Sequence, residues 1–380
     1  MRMQKILFVW VALCVILTGC WDIKDPQDVN YFTAIGFDYV DDQYIAYAQM
    51  IDFSTMAKSE SGKPEQSIPV WTGRGIGETP TSAMVDLYNT AQLRVFYGHV
   101  NAIIYSDNIL KSGVERVWDA HNRYYEMRYT PWVFGASRPI DELLEVTPFF
   151  FLSPAMSLLH QPMDNYKQQS TIKPITVREF ISNFHEPGRT VILPALDINQ
   201  KDWKEGGEAS GMLTIDGIYM IEDKAFKGKL KKSEILGLRW MEPATARSQL
   251  VLRSSEQTID AVLSLKNPRV QVTPAVNDGT VTYSLDVKLT GSISELLKPT
   301  SYSKLELEAE EKVRKQIRST FDKGLALDSD PLQLENSLYR QNVKCWKELR
   351  NRDKLQLSKA QVNIEVDVKL TTSGKMKMVK

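Results

Sequence analysis

Val281, Tyr283, Leu285, Val287 and Leu289 fall on every second position, and Val362, Ile364, Val366, Val368 and Leu370 do the same. A period of two puts each set on one face of an extended strand, and that face must be covered by another layer. Asn277-Asp278-Gly279 stands between Val270–Val276 and Val281–Leu289. An Asp-Gly pair between two such runs predicts a hairpin. Leu250–Arg253 and Thr258–Leu265 add two short strands. Strands that alternate in this way belong to an antiparallel sheet with one packed face. The cover is predicted from Lys304–Phe321, where Ala309, Val313, Ile317 and Phe321 recur at i, i+4, and from a second helix over Pro331–Arg350. Along Lys304–Phe321, the acidic Glu306, Glu308, Glu310 and Glu311 precede Lys312, Arg314 and Lys315, an order that suits the helix dipole and reads as a solvated face of i, i+4 pairs, or else as a groove for a partner helix.

The N-terminal half alternates strand and helix. Tyr31–Tyr39 and Gln43–Phe53 read as a strand pair turning at Asp41-Asp42, and Lys58–Gln66 as a loop. Thr79 and Pro80 start a helix whose apolar face carries Met84, Leu87, Tyr88 and Ala91. Val100–Tyr105 and Thr130–Ala136 are expected strands. Lys111–Tyr125, Ile140–Val146, Met156–Tyr166 and Val177–His185 are expected helices. Gln200–Ser210 is charged, aperiodic and carries Gly206-Gly207, which marks a boundary. Beyond it, Met212–Ile221 is a strand pair or one long bent strand with a turn signal at Asp216-Gly217, and Lys232–Trp240 is a short helix. The fold class expected is α+β and multi-domain: a mixed N-terminal unit, then a C-terminal unit with an antiparallel sheet packed by two long helices.

Ile6–Leu17 is free of charge and follows Arg2 and Lys5. Twelve helical residues rise about 18 Å, short of the roughly 30 Å hydrocarbon core, so the run reads as a signal-peptide core. It ends in Leu17-Thr18-Gly19-Cys20. Small residues before a cysteine resemble a bacterial lipobox, in which the signal is cut before Cys20, its thiol takes diacylglycerol and its amine is acylated, often with palmitate. The other reading is an ordinary secretory signal ending near a cysteine. Two or more acyl chains anchor stably, at about 0.8 kcal/mol per buried CH₂. With Cys14 removed and Cys20 lipidated, only Cys345 remains, and no intramolecular disulfide is expected.

The sequence nominates little chemistry. Lys and Arg number 47, as do Asp and Glu, so the chain lacks the basic excess of an electrostatic nucleic-acid binder. Gly73-Arg74-Gly75-Ile76-Gly77 superficially resembles a phosphate loop, but Glu78 stands where a third glycine belongs, and a flexible connector is the simpler reading. None of His99, His121, His160 and His185 lies in a metal-binding motif, and no cofactor or metal is expected. No nucleophile elbow is present. Asp216, Glu222 and Asp223 read as turn and edge residues. Tyr124, Tyr125, Tyr129, Trp132 and Phe134 form an aromatic stretch read as core, or else as a binding surface.

Cys20-Trp21-Asp22 after the lipobox resembles the opening of the Ger(x)C lipoproteins, the GerAC-like C subunits of nutrient germinant receptors in spore-forming bacteria. Gly98-His99-Val100 and the strand and helix after it are similar to that family's N-terminal domain. Asp216-Gly217, Lys227-Gly228-Lys229-Leu230 and Glu234 through Trp240 are similar to the opening of its C-terminal domain. Cys345-Trp346-Lys347-Glu348-Leu349, the last alternating strand and Ser373-Gly374 are similar to its end. The chain departs from the pattern at Ser337-Leu338-Tyr339-Arg340, where Phe-Gly is expected nearby, and in the tyrosine content of Ala120–Tyr129.

The resemblance implies a signal peptide over 1–19, an N-terminal domain over 20–205, with one or two subdomains, and a C-terminal domain over 211–378. It implies a non-enzymatic subunit lipidated at Cys20, without catalytic residues. This subunit would sit on the outer face of the inner spore membrane beside integral A-type and B-type receptor subunits. Two rival readings are a lipid-anchored solute-binding protein, which needs two parallel α/β lobes around a cleft, and an exported hydrolase, which needs a constellation absent from the sequence.

Overall fold

The computed structural model describes Met3 and residues 29–51, 69–254, 256, 258–277, 280–352 and 357–372. The loop expected at Lys58–Gln66 lies outside them. The chain begins with β1 (Val29–Val40), β2 (Gln43–Ile51) and β3 (Val70–Gly77), then α1 (Pro80–Asp86), β4 (Arg94–Phe96) and β5 (Ala102–Ser106). Next come α2 (Asp107–Ser112), α3 (Glu115–Arg123), β6 (Trp132–Ala136), α4 (Ile140–Glu145), α5 (Pro162–Gln168), β7 (Ile175–Thr176), α6 (Val177–His185) and β8 (Val191–Asn199). A two-stranded arm, β9 (Lys204–Glu205) and β10 (Glu208–Ala209), precedes β11 (Met212–Glu222), β12 (Ala225–Lys231) and α7 (Leu238–Met241). The remainder is β13 (Ser248–Arg253), β14 (Ile259–Asn277), β15 (Thr280–Leu296), α8 (Tyr302–Leu325), α9 (Leu334–Gln341), α10 (Val343–Asn351) and β16 (Gln361–Thr372).

Among the described residues the N-terminal half builds a ten-stranded sheet in the order β12-β11-β8-β6-β5-β1-β2-β3, with β4 beside β1 and β7 beside β6. Its centre is parallel: β1 with β5, β5 with β6, and β6 with β8. Every residue of β5 is buried, as a strand covered on both faces requires. One face meets α1, α2, α3 and α6 through Met84, Ile109, Trp118 and Phe180. The other meets α4 through Ile140, Leu143 and Leu144. Asp41 and Asp42 turn β1 into β2 with φ of 51° and 60°, a left-handed pair that Asp tolerates without glycine.

The sheet continues past Gln200–Ser210. That segment carries the β9–β10 arm, turning at Gly206 and Gly207, and β11 and β12 then extend the same sheet. β11 is one long strand, bulged at Asp216, where its register against β8 skips from Ile215 to Gly217. It also joins two cores: Tyr219 and Ile221 face the first, while Ile218 and Met220 face the C-terminal one.

The C-terminal unit is a four-stranded sheet, β13-β14-β15-β16, under α8. The alternating sets on β15 and β16 are buried against Leu305, Ala309, Val313, Ile317 and Phe321 of α8. Asn277 pairs with Thr280, the spacing a two-residue hairpin leaves; Asp278 and Gly279 lie outside the described residues.

Five sequence expectations need correction. The sheet is not wholly antiparallel: β16 runs parallel to β15, a pairing that requires a crossover such as the one through α8, α9 and α10. The second long helix is two helices, broken at Asn342, whose side chain accepts the Cys345 N–H at 3.1 Å as the cap of α10. Lys111–Tyr125 is likewise two helices, parted at Gly113 with φ 104°. Met156–Tyr166 shortens to α5 because Pro162 lacks an N–H and can only begin a helix. The strands expected at Thr258–Leu265 and Val270–Val276 are one strand, bulged where Asn267 takes φ 53° ahead of Pro268.

The charges of α8 are more than a solvated face. Glu306 and Glu310 accept the N–H groups of Leu370 and Val368 at 2.8 and 3.1 Å. Arg314 donates to the carbonyl of Ile364 at 3.1 Å, and Arg318 to that of Val362. Four residues at successive i, i+4 positions thus replace a missing strand along the open edge of β16. Lys312 donates to the Val251 carbonyl on the opposite edge, β13. The helix covers the sheet with its apolar stripe, lines the β16 edge with four ionic side chains and touches the β13 edge through Lys312.

Candidate functional site

Cys20, the one residue nominated for a site, lies outside the described residues. Among the described residues no group of three or more His, Cys, Asp or Glu is placed to hold a metal ion, and no helix is long and apolar enough to cross a membrane. Gly73, Gly75 and Gly77 belong to strand β3, neither a phosphate loop nor a flexible connector. A Cβ on Gly75 would sit 2.2 Å from the Ala83 carbonyl, so these glycines let α1 lie directly on the strand. Among the histidines, His99 packs on Tyr31, and His121 is buried.

The aromatic stretch divides. Phe134 is core, Trp132 is half-buried, and Tyr125 is 85 % exposed. Tyr124 instead lines a surface groove of about 480 Å³ with Tyr88, Tyr97, Tyr125, Arg94 and Glu126. Tyr88 ends the α1 region, Tyr97 follows β4, and Tyr124 ends α3, so three short elements bring the rings together. The Tyr88 hydroxyl lies 2.9 Å from that of Tyr97 and 2.5 Å from that of Tyr124. Burial, then the hydrogen bond to Tyr88, holds the phenols of Tyr97 and Tyr124 well above their ordinary range, so both stay protonated. Glu126 accepts from Arg94 at 3.0 Å, the Tyr125 hydroxyl at 3.0 Å and the Tyr97 N–H at 3.2 Å.

A second polar cluster lies where the N-terminal sheet meets the C-terminal helices. Glu222, read from sequence as an edge residue, is buried at the end of β11. One of its oxygens accepts from Thr190 Oγ1 at 2.6 Å, Ser329 Oγ at 2.9 Å and the Asp330 N–H at 2.8 Å. Asp330 is fully buried and accepts the N–H groups of Leu332 and Glu335 at 3.2 and 2.9 Å. Burial pushes its carboxyl up to about 7, and the carboxylates of Glu222 and Glu335 add to the push. Glu335 takes Trp346 Nε1 at 3.0 Å and Arg350 Nη1 at 2.6 Å, and burial raises its pKa too. Gln333 bridges the same seam, donating to the Thr190 carbonyl at 2.8 Å and accepting its N–H at 3.1 Å. No motif marks these residues, because they converge only in the folded chain.

A third cluster is buried under α4. His160 Nε2 lies 2.9 Å from Gln49 Oε1, and its Nδ1 contacts the Asn101 side chain. Gln49 Oε1 also accepts from Thr33, and its Nε2 donates to the Leu144 carbonyl at 2.6 Å. Burial lowers the His160 pKa to about 4. The imidazole is neutral in the folded protein, whereas the unfolded chain titrates near 6.5. Its contribution is therefore fully present above pH 6.5 and lost as pH falls toward 4. The stability advantage of wild type over His160→Gln, followed by urea unfolding, is expected to shrink across that window; an advantage constant from pH 7 to 4 would contradict it.

The two buried clusters brace the fold. Comparison with known proteins places the chain. The family model described as the spore germination protein N-terminal domain matches residues 22–198, and the model described as spore germination B3/GerAC like, C-terminal, matches 216–374. Spore germination protein B3 of Bacillus subtilis (strain 168) is 21 % identical, with 98 % of each chain covered. Spore germination protein KC of the same organism is 19 % identical, over 95 % of this chain and 93 % of its own. The putative spore germination protein YfkR, also from that organism, is 19 % identical over 89 % of each. The crystal structure of the GerBC protein shares the fold, with a TM-score of 0.55 and 16 % identity over 88 % of this chain and 96 % of that one. Two family models in tandem, relatives matched almost end to end, and a shared fold agree: the chain belongs to the GerAC-like family of spore germination proteins.

Proposed function

We propose that the chain is a non-enzymatic, lipid-anchored subunit of a spore germinant receptor. The supporting observation is the pair of family matches, 22–198 and 216–374, which begin two residues after Cys20. In this reading diacylglycerol on the Cys20 thiol, with an acylated amine, tethers the folded units to the outer face of the inner spore membrane. Integral A-type and B-type subunits are its partners, and its role is to scaffold the nutrient response. The solute-binding alternative is disfavoured by topology. The parallel strands β1, β5, β6 and β8 follow one another in a single direction, without the reversal of strand order that opens a ligand crevice in α/β sheets.

The test is an affinity pull-down of a tagged copy from detergent-solubilised spore membranes, with mass spectrometry of what comes with it. Two integral membrane proteins, one transporter-like, are expected. Recovery with transporter permeases would favour solute binding instead. In parallel, Cys20→Ala is expected to move the protein from the membrane to the soluble fraction and to impair germination. Full membrane retention of that variant, with normal germination, would end the anchoring claim.

A further inference from the structure

We infer that the groove between Tyr88, Tyr97 and Tyr124 is a binding site for a small organic anion: a carboxylate borne on a flat apolar body. Its volume, about 480 Å³, lies within the range of small-molecule sites. Its walls mix tyrosines with Ala91, Leu93 and Val95, and the exposed rings of Tyr88 and Tyr125 offer faces for stacking.

The hydrogen-bond inventory leaves donors over. Three hydroxyls share two mutual contacts, so two of their three protons are used and one remains to be donated, whichever way the chain runs. No acceptor among the described residues takes it. Arg94, about half exposed, directs Nη2 to Glu126 and to the Tyr125 hydroxyl, and its Nε and Nη1 make no contact with the described residues. Arg123, also on the lining, binds Asp119 through Nε and leaves both Nη groups uncommitted in the same sense. Glu126 is the carboxylate of the lining, and its 7 % exposed side chain is already engaged by three donors. Each guanidinium already faces one carboxylate, Arg94 with Glu126 and Arg123 with Asp119, so what the groove offers an anion is its unspent N–H and O–H donors. The two Nη groups of Arg123 form a planar fork that matches a carboxylate, Arg94 adds single N–H donors, and the spare phenolic proton supplies a further one. The ring of the ligand then lies among the tyrosines.

Benzoate is the minimal probe. Saturation-transfer NMR on the full chain in detergent micelles is expected to show saturable binding with a roughly millimolar dissociation constant, as a ligand of this size allows. Acetate, which lacks the ring, and benzyl alcohol, which lacks the charge, are expected to compete at least about tenfold less well. Arg94→Gln should weaken benzoate by about tenfold or more, and because Glu126 loses its ion partner in that variant its melting temperature is recorded alongside. Arg123→Gln, still more exposed, gives a second reading should the first variant lose its fold. Binding that never saturates, equal competition by benzyl alcohol, or undiminished affinity in both variants would overturn the assignment.

Discussion

Glu222→Ala is expected to cost about 3 kcal/mol and to loosen the seam between the two halves of the chain. A single carboxylate oxygen on β11 takes three donors, from Thr190, Ser329 and the Asp330 backbone. Removing it strands all three away from water, and an unsatisfied buried donor costs about 1–3 kcal/mol. Release of the carboxylate from its own buried position offsets part of that sum. Thermal or urea unfolding measures the loss. Because β11 carries residues of both cores, the variant should also broaden the transition or split it in two. A loss below about 0.5 kcal/mol, the level of a surface substitution, would show that the seam does not depend on this residue.

The second large effect concerns pH. Asp330 is held up to about 7 by burial, whereas an unfolded aspartate releases its proton near 4. Across the interval the folded chain keeps a proton that the unfolded chain has lost. Stability from this group is fully present below pH 4 and is lost as pH rises through 7, by up to about 1.4 kcal/mol for each pH unit. Asp330→Asn cannot titrate. The stability of wild type relative to that variant is expected to decline by several kcal/mol between pH 4 and 7 and then level off. His160 acts in the opposite direction over part of the same range, so the comparison between the two proteins, rather than the wild-type profile alone, carries the information. Parallel profiles would refute the assignment.

Legibility from sequence followed the range of the interactions. The alternating sets of β15 and β16 and the i, i+4 stripe of α8 are local patterns, and each was buried as expected. The helix start at Thr79 was legible for the same reason: capping is settled within four residues. The parallel direction of β16 was not legible, because it depends on where a long crossover returns. Helices broken at Gly113 and Asn342 kept an apolar period across the break, and period alone does not register a turn. The junction carboxylates and the tyrosine groove draw on segments far apart in the chain. Glu222 meets Asp330, and Tyr88 meets Tyr124, only after folding. The tyrosine excess at Ala120–Tyr129 was visible, but not that Tyr88 and Tyr97 would complete it.

The way α8 lies on its sheet has a consequence for copies of the chain that meet one another. A bare strand margin is a template, and identical chains pressed together can zip along it into a growing ribbon. Here Glu306, Glu310, Arg314 and Arg318 sit on one margin and Lys312 on the other. A neighbour's strand must first evict ionic groups that then need new partners. The C-terminal unit is thereby self-limiting in size. Growth of a ribbon from the β16 margin is opposed most, because four ionic side chains must leave it before a neighbour's strand can pair there.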